Sequence, residues 1–179
     1  MLLILKENML IVINNNQEYK MTIETGVTFP SGIFRLKDNE GVKEVATEEY
    51  FNSKKVVLFA VPGAFTPTCS AKHLPGYIKL FDDLIKKGVS SVACMAVNDP
   101  HVMHAWGEVS KVDGTVDMLS DSDCSISKSL GLDMSFGKVL GHRCKRFAMI
   151  VDNNIITKLF VEEPGAFEVS TAENILNNL

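Results

Sequence analysis

Few cysteines, no zinc-type cysteine pair, no strong charge of one sign and no long apolar run: each scarcity removes a class of function. The four cysteines of this 179-residue chain, Cys69, Cys94, Cys124 and Cys144, are irregularly spaced. A chain of this length buries enough surface to fold without staples, so a disulfide scaffold is not expected. Without a C-x-x-C pair, neither is a structural zinc site. Eighteen basic residues against 22 acidic ones leave a net charge of −4, which gives no pull on nucleic acid or on an anionic membrane. No apolar stretch approaches the roughly 18–20 residues that span a bilayer. What these exclusions leave is one globular domain with thiol chemistry in a reducing compartment.

The first twenty residues stand apart. Met1 to Leu5 is apolar but too short for a signal-peptide core, and Lys6-Glu7-Asn8 interrupts it. Acidic residues and the lack of arginine argue against a mitochondrial presequence. Two readings stay open: a leader remnant, with Met21 as an alternative start, or an added strand over Met9 to Asn14 ending in an Asn-rich turn. The division expected is therefore an extension over 1–20 and a domain over 21–179. The cytoplasm is the default location, and a mitochondrion or plastid reached by a trimmed leader is the alternative.

Past Met21, a short strand is expected at Gly32 to Leu36, a turn at Asp38 to Gly41 and one helical turn at Thr47 to Phe51. Val56 to Val61 is continuous and β-branched, the mark of a strand buried on both faces. An amphipathic helix then reaches Lys87, with Leu74, Ile78, Phe81, Leu84 and Ile85 inward and Gly88 as its stop. Pro75 is its misfit: it removes a hydrogen bond and crowds the preceding turn, costing ~3 kcal/mol in a helix interior. A kink there would leave the turn holding Cys69 poorly tied. A second buried strand, Val89 to Val97, leads to a helix capped at Asn98 or Asp99 and entered through Pro100. Val116 to Leu119 reads as a strand and Ser125 to Leu130 as a short helix stopped by Gly131. Phe147 to Val151 and Ile155 to Val161 form a hairpin about Asp152-Asn153-Asn154, and Thr171 to Leu179 closes the chain as a helix. Parallel crossovers followed by an antiparallel hairpin predict an α/β fold: a mixed central sheet with helices on both faces.

Pro62-Gly63-Ala64-Phe65-Thr66-Pro67-Thr68-Cys69 lies between the first buried strand and its helix. Function collects at such strand ends, and a helix start favours an anion such as a thiolate. An ordinary thiol is mostly protonated at pH 7. A cation about 4 Å away would stabilise the thiolate by roughly 4 kcal/mol at an effective dielectric near 20, before desolvation is subtracted. The helix terminus adds at most about 1 kcal/mol. The cation therefore outweighs the helix end, and Arg143 and Arg146 are the candidates. His73, four residues after Cys69, could form a Cys–His pair or half a metal site, but ligand-type neighbours are missing, and local packing or hydrogen bonding is the better reading. Cys94, inside an apolar strand, reads as a small hydrophobe, while Cys124 and Cys144 stay open.

Pro62-x-x-x-Thr66-x-x-Cys69 resembles the active-site pattern of the peroxiredoxins, thiol peroxidases with a thioredoxin-like fold. The longer run through Cys69-Ser70 and His73-Leu74-Pro75-Gly76 is similar to the atypical type-II (type-five) branch. Val97-Asn98-Asp99 with Trp106, Arg143 to Met149 and Val161-Glu162-Glu163-Pro164 match as well. The resemblance implies that Cys69 is the peroxidatic cysteine, that Thr66 hydrogen-bonds thiolate and peroxide, and that Pro62 shields the pocket. Arg146 fits the family arginine better than Arg143, and Gly63, Phe65, Thr66 and Cys69 would line the peroxide site. It implies no cofactor, hydrogen peroxide and organic hydroperoxides as substrates, and a homodimer joined near the loop, with Trp106 a candidate contact.

The sequence departs from the family where Cys69 must be restored. Members with an intramolecular resolving cysteine carry it near Val169, where this chain has no thiol. Cys94, 25 residues after Cys69, matches a second cysteine of plant-type and animal members. A one-cysteine cycle closed by glutathione or glutaredoxin is therefore expected. The alternatives are a two-cysteine, thioredoxin-dependent enzyme using Cys94, or a non-catalytic redox relay.

Overall fold

In a computed structural model of the chain, residues 22–179 are described throughout, and before them the backbone of three strands. These are β1 (Leu2–Lys6), β2 (Met9–Asn14) and β3 (Gln17–Lys20), paired antiparallel in a small sheet of their own. The strand expected at Met9 to Asn14 is thus β2, while Met21 and the turn after Asn14 lie outside the described residues.

The main sheet follows from burial. Next in the chain come β4 (Ile33–Asp38), β5 (Gly41–Ala46), α1 (Thr47–Phe51) and β6 (Lys55–Ala60). Along β6 the side chains alternate between two apolar layers, Val57 and Phe59 on one side and Val56, Leu58 and Ala60 on the other. An uninterrupted apolar run is what two buried faces require. After the Cys69 turn come α2 (Leu74–Lys79), α3 (Phe81–Lys86), β7 (Ser91–Ala96), α4 (Pro100–Ser110), β8 (Val116–Ser120) and α5 (Ser125–Ser129). The chain ends with β9 (Asp133–Ser135), α6 (Gly137–Leu140), β10 (His142–Cys144), β11 (Phe147–Asp152), β12 (Ile155–Val161) and α7 (Ala172–Asn177).

The seven-stranded sheet runs β12-β11-β6-β7-β8-β4-β5. β6, β7 and β8 are parallel, and β11 closes against β6 antiparallel. Asn153 and Asn154 both have positive φ, 45° and 69°, as the tight turn between β11 and β12 needs. Tyr77, Leu84, Trp106 and Ile175 fill one layer from α2, α3, α4 and α7; Phe34, Phe51 and Ile126 fill the other from β4, α1 and α5. Helices therefore cover both faces, as expected.

Three features differ from the sequence reading. The helix after Cys69 is broken rather than merely kinked. A π-helical turn, Cys69–His73, opens it, with Leu74 N–H reaching back five residues to Cys69 C=O, and a second break falls at Leu80. Pro75 has no N–H and crowds the carbonyl four residues earlier, so widening the turn before it relieves both faults. Ile85, assigned to the buried face, is 37% exposed, because the break at Leu80 shifts the phase of α3. Gly88, at φ +86°, stops the helix as expected: its N–H bonds Ile85 C=O while Val89 N–H bonds Leu84 C=O. Finally, β9, α6 and β10 form an excursion that no apolar periodicity announced, and it sets Arg143 opposite Met134 just before β11.

Candidate active site

Strand β6 delivers Pro62 and Gly63 to the rim of the sheet, where the chain turns into the π-helical turn. Asn98, at the end of β7, ties the loop by accepting the Ala64 N–H at 2.9 Å. Asp99 caps α4 by accepting from His101 and Val102 N–H, with Pro100 as first residue, as the sequence indicated. Cys69 is fully buried beneath this loop.

Arg146 brings the charge. Its Nη2 donates to Cys69 Sγ at 3.4 Å, and its Nη1 donates to His73 Nδ1 at 2.9 Å. The guanidinium carbon lies 5.7 Å from the ring centre of Phe167. Among the described residues no carboxylate lies within ion-pair distance of Arg146. Its charge is therefore left for the sulfur. Arg143, the other candidate, turns its Nε to Leu140 C=O at 2.8 Å and packs Nη1 beside Gly63.

His73 packs against Tyr77 and forms hydrogen bonds, as expected, but its hydrogen-bond partners are distant in the chain. Its Nε2 lies 3.0 Å from Ser170 C=O, which also accepts the Tyr77 hydroxyl at 2.9 Å. Since Nδ1 accepts from Arg146, Nε2 carries the ring proton. Burial, and then the Arg146 charge, depress its pKa to about 3, so the ring is neutral at physiological pH. Ser170 is held in turn by Glu162, whose Oε1 accepts from Ser170 N–H and Oγ–H and from Glu168 N–H. Phe59, Tyr77 and Phe167 surround the imidazole.

Several expectations are corrected. Thr66 Oγ1 donates to Gly63 C=O at 2.8 Å rather than to Cys69, so the expected bond to sulfur is not made. Phe65 is 54% exposed, has a φ of +60°, and lies with Ser70, Pro75, Ile78 and Val109 along a groove distinct from the one that Pro62 and Arg146 line. Trp106 is only 1% exposed and donates Nε1–H to Ser70 Oγ at 3.1 Å, leaving no surface for a second copy. That bond, with those of His73, ties the turn that was expected to be loose. Gly63 lies beside Thr66, Asn98 and Arg143 as part of the loop wall. Among the described residues no cluster of three or more His, Cys, Asp or Glu side chains that could hold a metal ion occurs.

A cleft of ≈ 540 Å³ opens beside Arg146, lined also by Pro62, Thr68, Met134, Phe136, Lys145 and the segment Val161 to Ala166. It is far larger than a peroxide needs. The other cysteines are buried. Cys94 lies opposite Phe59 on β7, and burial, reinforced by Cys69, pushes its thiol well above the usual range. Cys144 donates Sγ–H to Val61 C=O at 2.9 Å, and burial raises its thiol too. Cys124 precedes α5 with φ +60° and is likewise raised by burial.

The sequence reading assigned no role to Glu162, Ser170, Tyr77 or Phe167. The Val161-Glu162-Glu163-Pro164 run was the one signal that pointed there.

Comparisons with known proteins place the chain by its sequence and its fold. The family model described as Redoxin matches residues 24–176. The chain is 41% identical over 159 residues to Peroxiredoxin-2D of Arabidopsis thaliana, covering 88% of this chain and 98% of that protein. A structure of reduced Prx3 of Vibrio vulnificus in complex with hydrogen peroxide superposes with a TM-score of 0.86 at 49% identity, over 88% of this chain and 99% of that one. The antioxidant protein (1-Cys peroxiredoxin) of Plasmodium falciparum gives a TM-score of 0.82 at 29% identity, over 88% of this chain and 100% of that one.

Proposed function

This chain belongs to the peroxiredoxins of the Redoxin family, and from that membership we propose that Cys69 is the nucleophile of its thiol-dependent peroxidase activity, restored by an external thiol. The observation that carries the reading is the unpaired Arg146 guanidinium 3.4 Å from a buried Cys69 sulfur. A cation held at that distance is the neighbour that a reactive cysteine, unlike a structural one, has beside it.

The thiolate attacks one peroxide oxygen and the O–O bond breaks. Its electron pair leaves on the second oxygen, which takes up a proton and departs as water or alcohol. Arg146 meets the charge that moves onto that oxygen, because one guanidinium can donate to both sulfur and leaving group. Thr66, its proton committed to Gly63, retains lone pairs that can accept the peroxide O–H. Pro62 walls the pocket against water. Cys69 is left as a sulfenic acid, oxidised by two electrons.

An external thiol then attacks that sulfur, giving a mixed disulfide and water. A second thiol releases Cys69 as thiolate and leaves as a disulfide. Glutathione, alone or through glutaredoxin, is the proposed donor. Val169 supplies no thiol, Cys94 is sealed within β7, and the ≈ 540 Å³ cleft beside Arg146 offers Lys145 to an anionic thiol. The second reading, a thioredoxin-dependent cycle through Cys94, rests on Cys94 sharing one core layer with Cys69. With the cysteines free, a reducing compartment fits, and the cytoplasm is the proposed location. Among the described residues no helix is long and apolar enough to cross a membrane. A homodimer is proposed through the face bearing Phe65 and Val109, 54% and 73% exposed.

Steady-state peroxide turnover with glutathione and glutaredoxin, against turnover with thioredoxin, tests the cycle. Faster turnover with thioredoxin, together with a Cys69–Cys94 disulfide in the mass spectrum, would overturn it.

A further inference from the structure

Arg146 is half-buried at the lip of a cleft whose walls also carry Glu162 and Glu163. A free guanidinium on that lip has an alternative to the sulfur: it can swing outward and pair with a carboxylate. What opposes this is one acceptor. His73 Nδ1 takes the Nη1 proton at 2.9 Å, and because the guanidinium is planar and rigid, fixing Nη1 aims Nη2 at Cys69. The imidazole is itself held at its far side by Ser170 C=O, and Ser170 by Glu162. A continuous chain of hydrogen bonds thus runs from Glu162 through Ser170, His73 and Arg146 to the sulfur.

We propose that His73 is a positioning residue for peroxide reduction, holding the Arg146 guanidinium on the Cys69 sulfur and on the leaving oxygen, with its own ring oriented by Ser170. The proposal rests on the reading of Cys69 as nucleophile. The ring does no proton transfer. Its neutral state is required because only a neutral imidazole with its proton on Nε2 can accept from Arg146 while donating to Ser170.

Two substitutions separate the ring's two bonds. In His73→Asn the amide oxygen sits where Nδ1 was and still accepts from Arg146. In His73→Gln the amide reaches the position of Nε2 and can serve Ser170 but not Arg146. The measurements are the second-order rate of Cys69 oxidation by hydrogen peroxide and the ultraviolet thiolate absorbance at neutral pH. Loss of aim is expected to slow His73→Gln and His73→Leu by roughly 10- to 100-fold, with thiolate absorbance falling in parallel, while His73→Asn stays within a few-fold of the parent. A merely structural role would move all three variants together with their melting temperatures. Equal rates for His73→Asn and His73→Gln would overturn the proposal, and the comparison stands even if His73→Leu fails to fold. Cys69→Ser is run alongside. Peroxide reduction by that variant would overturn the reading of Cys69, whereas an inactive Cys69→Ser with indifferent His73 variants would overturn the positioning role alone.

Discussion

The indole N–H of Trp106 donates to the Ser70 hydroxyl at 3.1 Å, joining the middle of α4 to the residue after Cys69. The next residue, Gly107, lets α4 lie close against β8; a Cβ there would come within 2.9 Å of Met118. Removing the hydroxyl with Ser70→Ala strands a buried N–H donor, at a cost of about 1–3 kcal/mol. The melting temperature should fall. The Cys69 turn should open more readily, so peroxide-treated protein forms its glutathione adduct faster than the parent. A slower adduct would show that the bond orders the turn for attack rather than restraining it.

Pro75 acts on the same turn from the other end. An alanine there restores an N–H, which can bond the carbonyl of Ala71 and convert the widened turn to a regular helix. If attack on oxidised Cys69 needs that turn to unwind, Pro75→Ala should raise thermal stability and slow glutathionylation. Stopped-flow mixing of the sulfenic form with glutathione measures it, and an unchanged rate would separate the π-helical turn from the second half-reaction.

The parts legible in the sequence were those fixed by local rules. Continuous apolar strands, the Asp99 cap, the Gly88 stop and the paired asparagines before β12 each declare themselves within a few residues. The loop stood out by its residues, while the choice of Arg146 over Arg143 came from the resemblance to the family. What stayed hidden was set by contacts between distant segments. His73 meets Arg146 and Ser170, 73 and 97 residues away, and no periodicity encodes such a meeting. Trp106, an aromatic beside a functional loop, fits an interface as well as a core until its burial is known. The excursion over β9, α6 and β10 escaped because its strands are three residues long, too short for alternation to register.

Burial of His73 makes stability depend on pH. Its folded pKa, about 3, lies below the unfolded value near 6.5, so between those values the unfolded chain binds a proton that the folded chain refuses. This contribution is fully present above pH 6.5 and is lost as pH falls, at up to ~1.4 kcal/mol per pH unit for one group. Urea unfolding of the parent should therefore weaken from pH 6.5 downward more steeply than that of His73→Asn, which cannot titrate there. Depressed carboxylates such as Glu48 and Asp123 add to the acid loss in both proteins, and their share cancels in the difference. Parallel curves would mean that His73 ionises in the folded state.

Cys94 decides between one- and two-cysteine cycles. Its side chain packs in β7 beside Phe59 with no exposed surface, and burial keeps the thiol protonated, which makes it a poor attacker of a sulfenic acid. Bringing it to Cys69 would require both the turn and a central strand to give way. Cys94→Ala, which leaves only a small cavity, should lower stability by about 1 kcal/mol. Peroxide turnover with glutathione should remain within about twofold of the parent if the reductant reaches Cys69 from the cleft beside Arg146 and not through the sheet. The mass of the oxidised parent should carry one bound glutathione and no internal disulfide. Loss of turnover in a folded Cys94→Ala protein would instead mean that the strand opens within the catalytic cycle, with Cys94 as the resolving thiol.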